Sequence, residues 1–196
     1  MHAPDDPVLT VRFDEALAFA SRIHRIQCRK GTCIPYLSHL LAVCAIALEN
    51  GADEDQAIAA LLHDAVEDQG GLEQLEAIRD LFGQDVAAMV WDCTDTVEEP
   101  KPDWRPRKEA YIASLAAKPC RSLAVSLADK THNAGAINAD LRAHGSVVWD
   151  RFTGRKEGTL WYYSALADAF RQRLPGAAAE RFGREVAEMV ELAARC

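Results

Sequence analysis

The sequence lacks any uninterrupted apolar run of ~18 residues, the minimum for a membrane-spanning helix, so we expect no membrane partner. It is also short of positive charge, because 22 Lys and Arg residues face 30 Asp and Glu residues and leave a net charge of -8. Nucleic-acid-binding domains normally carry a basic surface that neutralises several phosphates. We therefore expect no nucleic-acid partner, whereas a few local basic side chains suffice to bind a small phosphorylated molecule.

The six cysteines form no Cys-x-x-Cys pair, which excludes the usual spacing of a structural zinc–thiolate site. Most of them fall in apolar helical patterns, which predicts buried thiols. Residues 1–7 contain two aspartates and neither Lys nor Arg, so they do not resemble a secretory signal. These features predict a cytoplasmic protein with reduced cysteines.

No alternating strand pattern of useful length is present, and apolar residues recur at helical spacing along nearly the whole chain. We predict an all-α protein, a compact bundle of about nine to ten helices that forms a single domain over residues 1–196. Its core is expected at about 13–170, with C-terminal helices continuing to residue 194. Predicted helices cover 13–29, 35–50, 53–67, 72–81, 84–91, 108–117, 121–143, 159–174 and 177–194, with a proline-rich loop at 98–106 and a helix-poor segment at 151–158.

Two of the predicted helices are apolar on every side, yet each runs directly into ionisable residues. Residues 57–62 precede His63 and Asp64, and residues 123–128, which are apolar apart from one serine, precede Asp129. A helix that is apolar all round is expected to be buried. Because an ionisable side chain in such a place is costly unless it is paired or bound to a metal ion, both helix ends are candidate functional positions.

A helical projection places four polar side chains on one face of the first of these helices. At ~100° per residue, Glu67 lies one turn above His63 and Asp68 one turn above Asp64. His39 adds a second imidazole on an otherwise apolar helix. Each group alone has an ordinary explanation, such as a hydrogen-bonded core histidine or an acidic helix end. Their joint occurrence favours a metal site, because clustered carboxylates and imidazoles need a cation to balance them.

The candidate donor set contains two imidazoles and two carboxylates, from His39, His63, Asp64 and Asp129. Nitrogen and oxygen donors suit Mn²⁺, Fe²⁺, Zn²⁺ or Mg²⁺ and lack the thiolates of a structural zinc site. Four protein ligands leave room for a water molecule only if the ion exceeds four-coordination. This favours one Mn²⁺ or Fe²⁺ per chain over tetrahedral Zn²⁺.

Several ordered motifs resemble the HD-type hydrolase domain of the RelA/SpoT family, especially its small single-domain alarmone hydrolases. The matching segments are residues 24–30, 35–39, 60–68, 82–83, 93–95 and 127–133, within a resemblance that covers roughly residues 13–170. The resemblance implies an HD-domain helical bundle. It also implies a Mn²⁺-dependent hydrolase that removes the 3′-pyrophosphate of ppGpp and pppGpp and leaves GDP or GTP.

The resemblance also implies roles for individual residues. It assigns the two histidines and two aspartates of the donor set to the metal, and assigns Glu67 and Asp68 to the attacking water. It places Arg29, Lys30 and Asn133 beside the nucleotide. Further cationic side chains are candidates to neutralise phosphoryl oxygens, and one aromatic ring is a candidate to stack on the base. These additional residues are Arg25, Arg107, Lys108, Lys130 and Tyr162.

Three functions are compatible with the sequence. The first is alarmone 3′-pyrophosphohydrolase, and the second is a phosphatase acting on another phosphorylated nucleotide such as NADPH. The third is a catalytically silent nucleotide-sensing module. The presence of Glu67 and Asp68 beside a full ligand set disfavours the third, because a sensor needs no water-activating acids. The oligomeric state is also open, with a homo-oligomer among the alternatives.

Overall fold

The computed structural model describes residues 8–98 and 100–195. The chain divides between Thr94 and Asp95 into two units, which are described separately. The described residues form ten α-helices and one 3-10 helix, with no strand among them, which confirms the predicted all-α class. None of these helices combines the length and the apolar character needed to cross a membrane. The single domain over 1–196 stays a prediction, and the expectations for residues 1–7 and Cys196 lie outside the described residues.

The first unit contains six helices, two of which begin at clear capping side chains. The Thr10 side chain accepts a hydrogen bond from the backbone N–H of Arg12, and Asp53 forms a reciprocal capping box with Gln56. Such caps satisfy N–H groups that have no partner inside the helix. The helices are α1 (Val11–Ile23), α2 (Leu37–Glu49), α3 (Glu54–Leu62), α4 (Ala65–Gln69), α5 (Gly71–Phe82) and α6 (Gln84–Cys93).

Helix α3 is the centre of the first unit. Every residue from Ala57 to Leu62 has no exposed surface, which confirms the burial predicted from its all-round apolar sequence. It packs against α1, α2 and α6. Because α3 is buried, His63, which directly follows it, also lies in the interior, and only 1% of the His63 surface is exposed.

The predicted continuous helix over 53–67 is wrong. The chain leaves the helix after Leu62, and Asp64 adopts φ -100° and ψ 0°, in the sparsely populated bridge region, before α4 begins. The interruption falls where the Asp64 carboxylate meets the ring of His63 and the hydroxyl of Tyr36. The four polar groups are therefore placed by two short helices and a turn, and not by the face of one ideal helix.

The predicted helix over 13–29 extends too far, because α1 ends at Ile23. The chain beyond it folds into a short hairpin, in which the backbone N–H of Arg29 donates to Ile34 O (2.8 Å) and that of Tyr36 donates to Gln27 O (2.8 Å). These backbone groups pair across the hairpin instead of continuing the helix. We call residues 24–36 the hairpin segment.

The second unit is organised around long helices and aromatic side chains. Phe170 and Phe182 have no exposed surface, and their rings meet edge to face with centroids 5.7 Å apart. The longest helix has 25 residues and packs against the two helices that follow it. The elements are α7 (Trp104–Ser114), α8 (Cys120–His144), the 3-10 helix (Gly145–Arg151), α9 (Arg155–Arg173) and α10 (Ala177–Arg195).

The predicted loop at 98–106 ends earlier than expected, because α7 already begins at Trp104. Pro106 lies in the first turn of this helix. A proline is tolerated there because the backbone N–H that it lacks would have no partner inside the helix. Pro106 therefore belongs to α7 and not to the predicted loop.

The prediction that residues 151–158 are poor in helix is also wrong, since α9 begins at Arg155. Glycines in this segment are explained by close packing. A Cβ atom at Gly154 would lie 2.6 Å from Cη2 of Trp104, and one at Gly158 would lie 3.0 Å from its Cζ3. Both glycines make room for the Trp104 indole, so they do not indicate an irregular chain.

The prediction that most cysteines are buried is wrong. Cys44 and Cys93 are buried, whereas Cys28, Cys33 and Cys120 are exposed, and none of these five forms a disulfide. Cys28 and Cys33 lie in the hairpin segment, part of which falls within the predicted helix over 13–29. Cys120 begins α8 at the surface.

The buried thiols should react far more slowly than the exposed ones. Burial raises the pKa of Cys44 to about 11, and alkylation requires the thiolate. Because the folded-state pKa lies above that of the unfolded chain, native Cys44 stays neutral and inert at pH 8 and ionises only as the pH approaches 11. We expect iodoacetamide at pH 8 to label Cys120 rapidly and Cys44 only after unfolding, as read by peptide mass spectrometry. Equal labelling rates in the native protein would contradict this placement.

Candidate metal centre and substrate contacts

Three of the predicted ligands converge in the first unit. His39, on α2, and His63, after α3, both direct Nε2 towards one carboxylate oxygen of Asp64. The distances from Oδ2 of Asp64 are 3.6 Å to His39 and 2.9 Å to His63. Both histidines are almost completely buried, and their rings meet edge to face with centroids 5.1 Å apart. Two imidazoles and one carboxylate therefore share a small volume.

The tautomer of His63 follows from its second ring nitrogen. Nδ1 lies 2.9 Å from the carbonyl oxygen of Ala60, which can only accept, so Nδ1 carries the proton. In the neutral imidazole Nε2 then presents a lone pair towards the Asp64 oxygen. A metal-binding histidine commonly donates its other N–H to a backbone carbonyl in this way.

Neighbouring acceptor atoms repel one another, and a divalent cation that binds both of them removes this repulsion. Two donors about 2.0–2.2 Å from one ion stand roughly 3 Å apart when their bonds to it are near perpendicular. The 2.9 Å separation of His63 and Asp64 agrees with this arrangement. The donor set of two imidazoles and one carboxylate thus fits a divalent metal ion.

The two candidate catalytic acids lie on α4, directly after this donor set. Glu67 is partly buried and Asp68 is exposed. The Asp68 carboxylate accepts a hydrogen bond from Nε2 of Gln27 (2.8 Å). Gln27 in turn accepts from Nε2 of Gln69 (2.5 Å) and lies 2.6 Å from Nδ1 of His24. The hairpin segment therefore holds one of the two acids in place.

His24 completes this polar chain. Its side chain is buried, and desolvation lowers the pKa of the imidazole, although the hydrogen bond with Gln27 acts in the opposite direction. A neutral ring with the proton on Nδ1 donates to the Gln27 amide oxygen, which leaves the amide nitrogen to donate to Asp68. Sequence reasoning missed Gln27, and its only signal was a position inside the matching segment 24–30.

The three basic residues predicted in the hairpin segment all lie at or near the surface. Arg25 and Lys30 are exposed and Arg29 is partly buried. Gly31, with φ 73°, turns the chain directly after Lys30. These cations are accessible to an anionic ligand in the first unit.

Asp129, the fourth predicted ligand, belongs to the second unit and is buried on α8. Both of its carboxylate oxygens accept hydrogen bonds, Oδ2 from Nζ of Lys130 (2.7 Å) and Oδ1 from Nδ2 of Asn133 (2.5 Å). Burial acts to lower the pKa of Lys130, but the Asp129 carboxylate, together with the hydroxyls of Tyr162 and Tyr111, raises this pKa well above its usual range. Lys130 and Asn133, both predicted as substrate contacts, thus also hold the Asp129 carboxylate.

Arg107 and Lys108, predicted as phosphate clamps, are both anchored by Asp95. The carboxylate accepts from Nη1 of Arg107 and from Nζ of Lys108 (2.6 Å for the lysine). Burial and the nearby Lys130 charge lower the pKa of Lys108, while Asp95 acts in the opposite direction. Asp95 therefore holds both Arg107 and Lys108 in place, and Lys108 lies close enough to Lys130 for the two charges to interact. The role of Asp95 was not predicted from the sequence, where its only signal was a position inside the matching segment 93–95.

Tyr162 lies against this cationic group. The Lys108 ammonium is 5.1 Å from the centroid of its ring. The tyrosine is buried, and its hydroxyl makes no hydrogen bond within the described part of the chain. Burial raises the pKa of this hydroxyl, with Lys130 acting in the opposite direction, so it stays protonated. A buried donor without an acceptor is uncommon in proteins and indicates a position for a ligand or a water molecule.

Comparison with known proteins identifies related sequences. The family model for the HD domain matches residues 16–160. The guanosine-3′,5′-bis(diphosphate) 3′-pyrophosphohydrolase MESH1 of Drosophila melanogaster is 36% identical over 127 residues, which cover 63% of this chain and 68% of that protein. The bifunctional (p)ppGpp synthase/hydrolase SpoT of Escherichia coli strain K12 is 31% identical over 172 residues. That match covers 85% of this chain and 22% of the bacterial protein, so the chain spans about a fifth of its length.

Two solved structures share the fold. One is a metazoan orthologue of SpoT described as hydrolysing ppGpp and as having a role in starvation responses, with a TM-score of 0.75 and 29% identity. That match covers 98% of this chain and 99% of the other. The second is a protein from Listeria monocytogenes EGD-e, with a TM-score of 0.67, 27% identity and coverage of 78% of this chain and 99% of the other.

Proposed function

The chain belongs to the HD-domain family and to its RelA/SpoT-type alarmone hydrolases, and on this basis we propose that it removes the 3′-pyrophosphate from ppGpp and pppGpp. The products are GDP or GTP and pyrophosphate. The convergence of His39, His63 and Asp64 carries the proposal, because this donor set suits a metal-dependent hydrolase. The activity named for the related MESH1 proteins supports the choice of substrate.

We propose Mn²⁺ as the resident ion, with His39, His63, Asp64 and Asp129 as its protein ligands. The nitrogen and oxygen donors suit Mn²⁺ or Fe²⁺ in a coordination shell larger than four, and Zn²⁺ and Mg²⁺ are the remaining alternatives. Asp129 is supported by its burial and by two hydrogen bonds that fix both of its carboxylate oxygens. When bound, such an ion supplies Lewis-acid chemistry that lowers the pKa of water and neutralises phosphoryl charge.

The acids on α4 act on the attacking water. Glu67 takes a proton from this water as general base, and Asp68, held by Gln27, orients it. The water oxygen forms a bond to the phosphorus that carries the 3′-oxygen of the nucleotide. The bond between that phosphorus and the 3′-oxygen breaks, pyrophosphate leaves with the new oxygen, and the 3′-oxygen takes up a proton.

Cationic side chains bind the phosphates and oppose the charge that develops on them. We assign Lys130, Lys108 and Arg107 to this role in the second unit, where Asp95 prearranges the latter two. The Tyr162 hydroxyl is a further donor, supported by its burial without a hydrogen-bond acceptor. The remaining assigned substrate contacts, proposed for the nucleotide, are Arg25, Arg29, Lys30 and Asn133.

The expected partner is a small nucleotide and neither nucleic acid nor membrane, consistent with the net charge of -8. We propose a cytoplasmic location, where ppGpp occurs and where exposed free thiols such as Cys120 persist in reduced form. Homo-oligomerisation remains an alternative to a monomer, to be decided by the mass in solution.

A substrate panel tests the proposed function. Purified protein loaded with Mn²⁺ is given ppGpp, pppGpp, NADPH and a simple phosphate monoester, and the products are separated by anion-exchange chromatography. We expect stoichiometric GDP and pyrophosphate from ppGpp, and GTP and pyrophosphate from pppGpp, with little turnover of the other two compounds.

The same panel separates the alternatives. Selective release of phosphate from NADPH would replace the proposed substrate by another phosphorylated nucleotide. Tight binding of ppGpp without turnover under Mn²⁺, Fe²⁺, Zn²⁺ and Mg²⁺ would show a sensing module and would overturn the enzymatic proposal.

A further inference from the structure

Tyr36 contacts the candidate metal ligand Asp64, although it is neither a member of the donor set nor one of the acids on α4. Its hydroxyl lies 2.5 Å from Oδ2 of Asp64, the oxygen that also faces both imidazoles. We propose that Tyr36 is a positioning residue that fixes the Asp64 carboxylate in the orientation needed to bind the metal ion. The inference rests on the proposed function in one respect only, the presence of a divalent ion beside Asp64.

The tyrosine ring is itself held on two sides. It stacks on His24, with centroids 5.4 Å apart and an interplanar angle of 22°. It meets the ring of His39 edge on, at 5.4 Å and 69°. Its backbone N–H donates to Gln27 O and pins the residue to the end of the hairpin segment. A side chain restrained in this way can impose an orientation on the group that it contacts.

The direction of the hydrogen bond is fixed by chemistry. A tyrosine hydroxyl carries one proton that it can donate in a hydrogen bond. An ionised carboxylate can only accept, so Tyr36 donates and Asp64 accepts. A hydrogen bond to an ionised carboxylate is one of the stronger kinds, and such a bond restrains the orientation of the Asp64 carboxylate.

The position of Tyr36 also links two parts of the candidate metal centre. Tyr36 immediately precedes α2, three residues before His39, so one turn of chain carries both an imidazole donor and the hydroxyl that orients the carboxylate donor. Asp64 lies in the turn between α3 and α4 and has no helical backbone to fix its side chain. The Tyr36 hydroxyl supplies a restraint that this turn does not.

The affinity for Mn²⁺ tests the proposal without relying on turnover. Tyr36→Phe removes the hydroxyl and keeps the ring that packs on His24 and His39. Loss of a group that orients a metal ligand typically weakens metal binding by ~10–100-fold. We expect a fall of this size in the Mn²⁺ association constant, measured by titration with electron paramagnetic resonance of free Mn²⁺. The melting temperature of the metal-free protein in EDTA should stay close to that of the wild type.

Tyr163→Phe is the matched control, because it removes a hydroxyl from the second unit, where the Tyr163 ring packs near Phe182. An unchanged Mn²⁺ affinity in Tyr36→Phe would overturn the positioning role. An equal loss in Tyr163→Phe, or a metal-free Tyr36→Phe protein that melts several degrees lower, would also overturn it by showing general destabilisation. A wild-type protein that binds Mn²⁺ but leaves ppGpp intact would overturn the proposed function alone, and the affinities would still decide the role of Tyr36.

Discussion

Replacing Asp64 with alanine is expected to abolish both stable Mn²⁺ binding and hydrolysis of ppGpp. The carboxylate oxygen lies 2.9 Å from His63 and 3.6 Å from His39, so its loss leaves two imidazoles without the anionic member of the donor set in the first unit. Because loss of a group that merely orients a ligand already costs ~10–100-fold in affinity, loss of the ligand should cost more than ~100-fold. Metal content after dialysis and the rate of pyrophosphate release measure the two effects.

The Asp64→Ala protein should nevertheless fold. The substitution removes a charge from a partly buried position and leaves the apolar core of α3 intact. Asp80→Ala is a suitable control, because Asp80 is an exposed aspartate on α5 in the same unit. A dialysed Asp64→Ala protein with a full equivalent of Mn²⁺ and the ultraviolet circular dichroism of the wild type would remove Asp64 from the ligand set.

The positions of the candidate ligands His63 and Asp64 could be predicted from the sequence because the pattern that marks them is local. The apolar run of α3 ends directly in His63 and Asp64, and burial of such a run forces the ionisable groups into the interior. What the run did not reveal is the break of the helix at Asp64. The bridge-region backbone there accompanies tertiary contacts of the Asp64 carboxylate with Tyr36 and His39, which helical periodicity does not encode.

The contacts of Gln27 and Tyr36 could not be predicted because they depend on the hairpin segment. The periodicity of residues 13–29 suggests one continuous helix, which gives no reason to place Gln27 beside an acid of α4. Once the chain turns after Ile23, Gln27 reaches Asp68 and Tyr36 reaches Asp64, over sequence separations of 41 and 28 residues. A pattern confined to neighbouring residues carries no information about such pairs.

In the second unit, too, local features could be predicted from the sequence and long-range contacts could not. The burial of the run that leads to Asp129 follows from its sequence, whereas the anchoring of two predicted cations by Asp95 does not. The proline that suggested a loop lies in the first turn of α7. Prolines and glycines mark both breaks and tight packing, and only the three-dimensional contacts distinguish the two.

The second large effect is expected from Glu67→Gln, which should retain Mn²⁺ and lose most of the turnover. Glutamine keeps the shape of the side chain but cannot take a proton from the attacking water at neutral pH. General base catalysis typically contributes ~10²–10⁴ to the rate, so kcat should fall by about that factor while KM changes little. Steady-state kinetics with ppGpp and Mn²⁺ titration of the same preparation measure both properties.

Two further variants make the result specific to Glu67. Glu73→Gln makes the same change at an exposed position on α5 and should behave as the wild type. Asp68→Asn tests the neighbouring acid, which is exposed and accepts a hydrogen bond from Gln27, so its loss should reduce kcat less than the loss of Glu67. If Asp68→Asn instead shows the larger fall in kcat with Mn²⁺ still bound, the base is Asp68, and Glu67 only helps to orient the water. A near-normal rate in both Glu67→Gln and Asp68→Asn would mean that the proton of the attacking water leaves by a route that involves neither acid of α4.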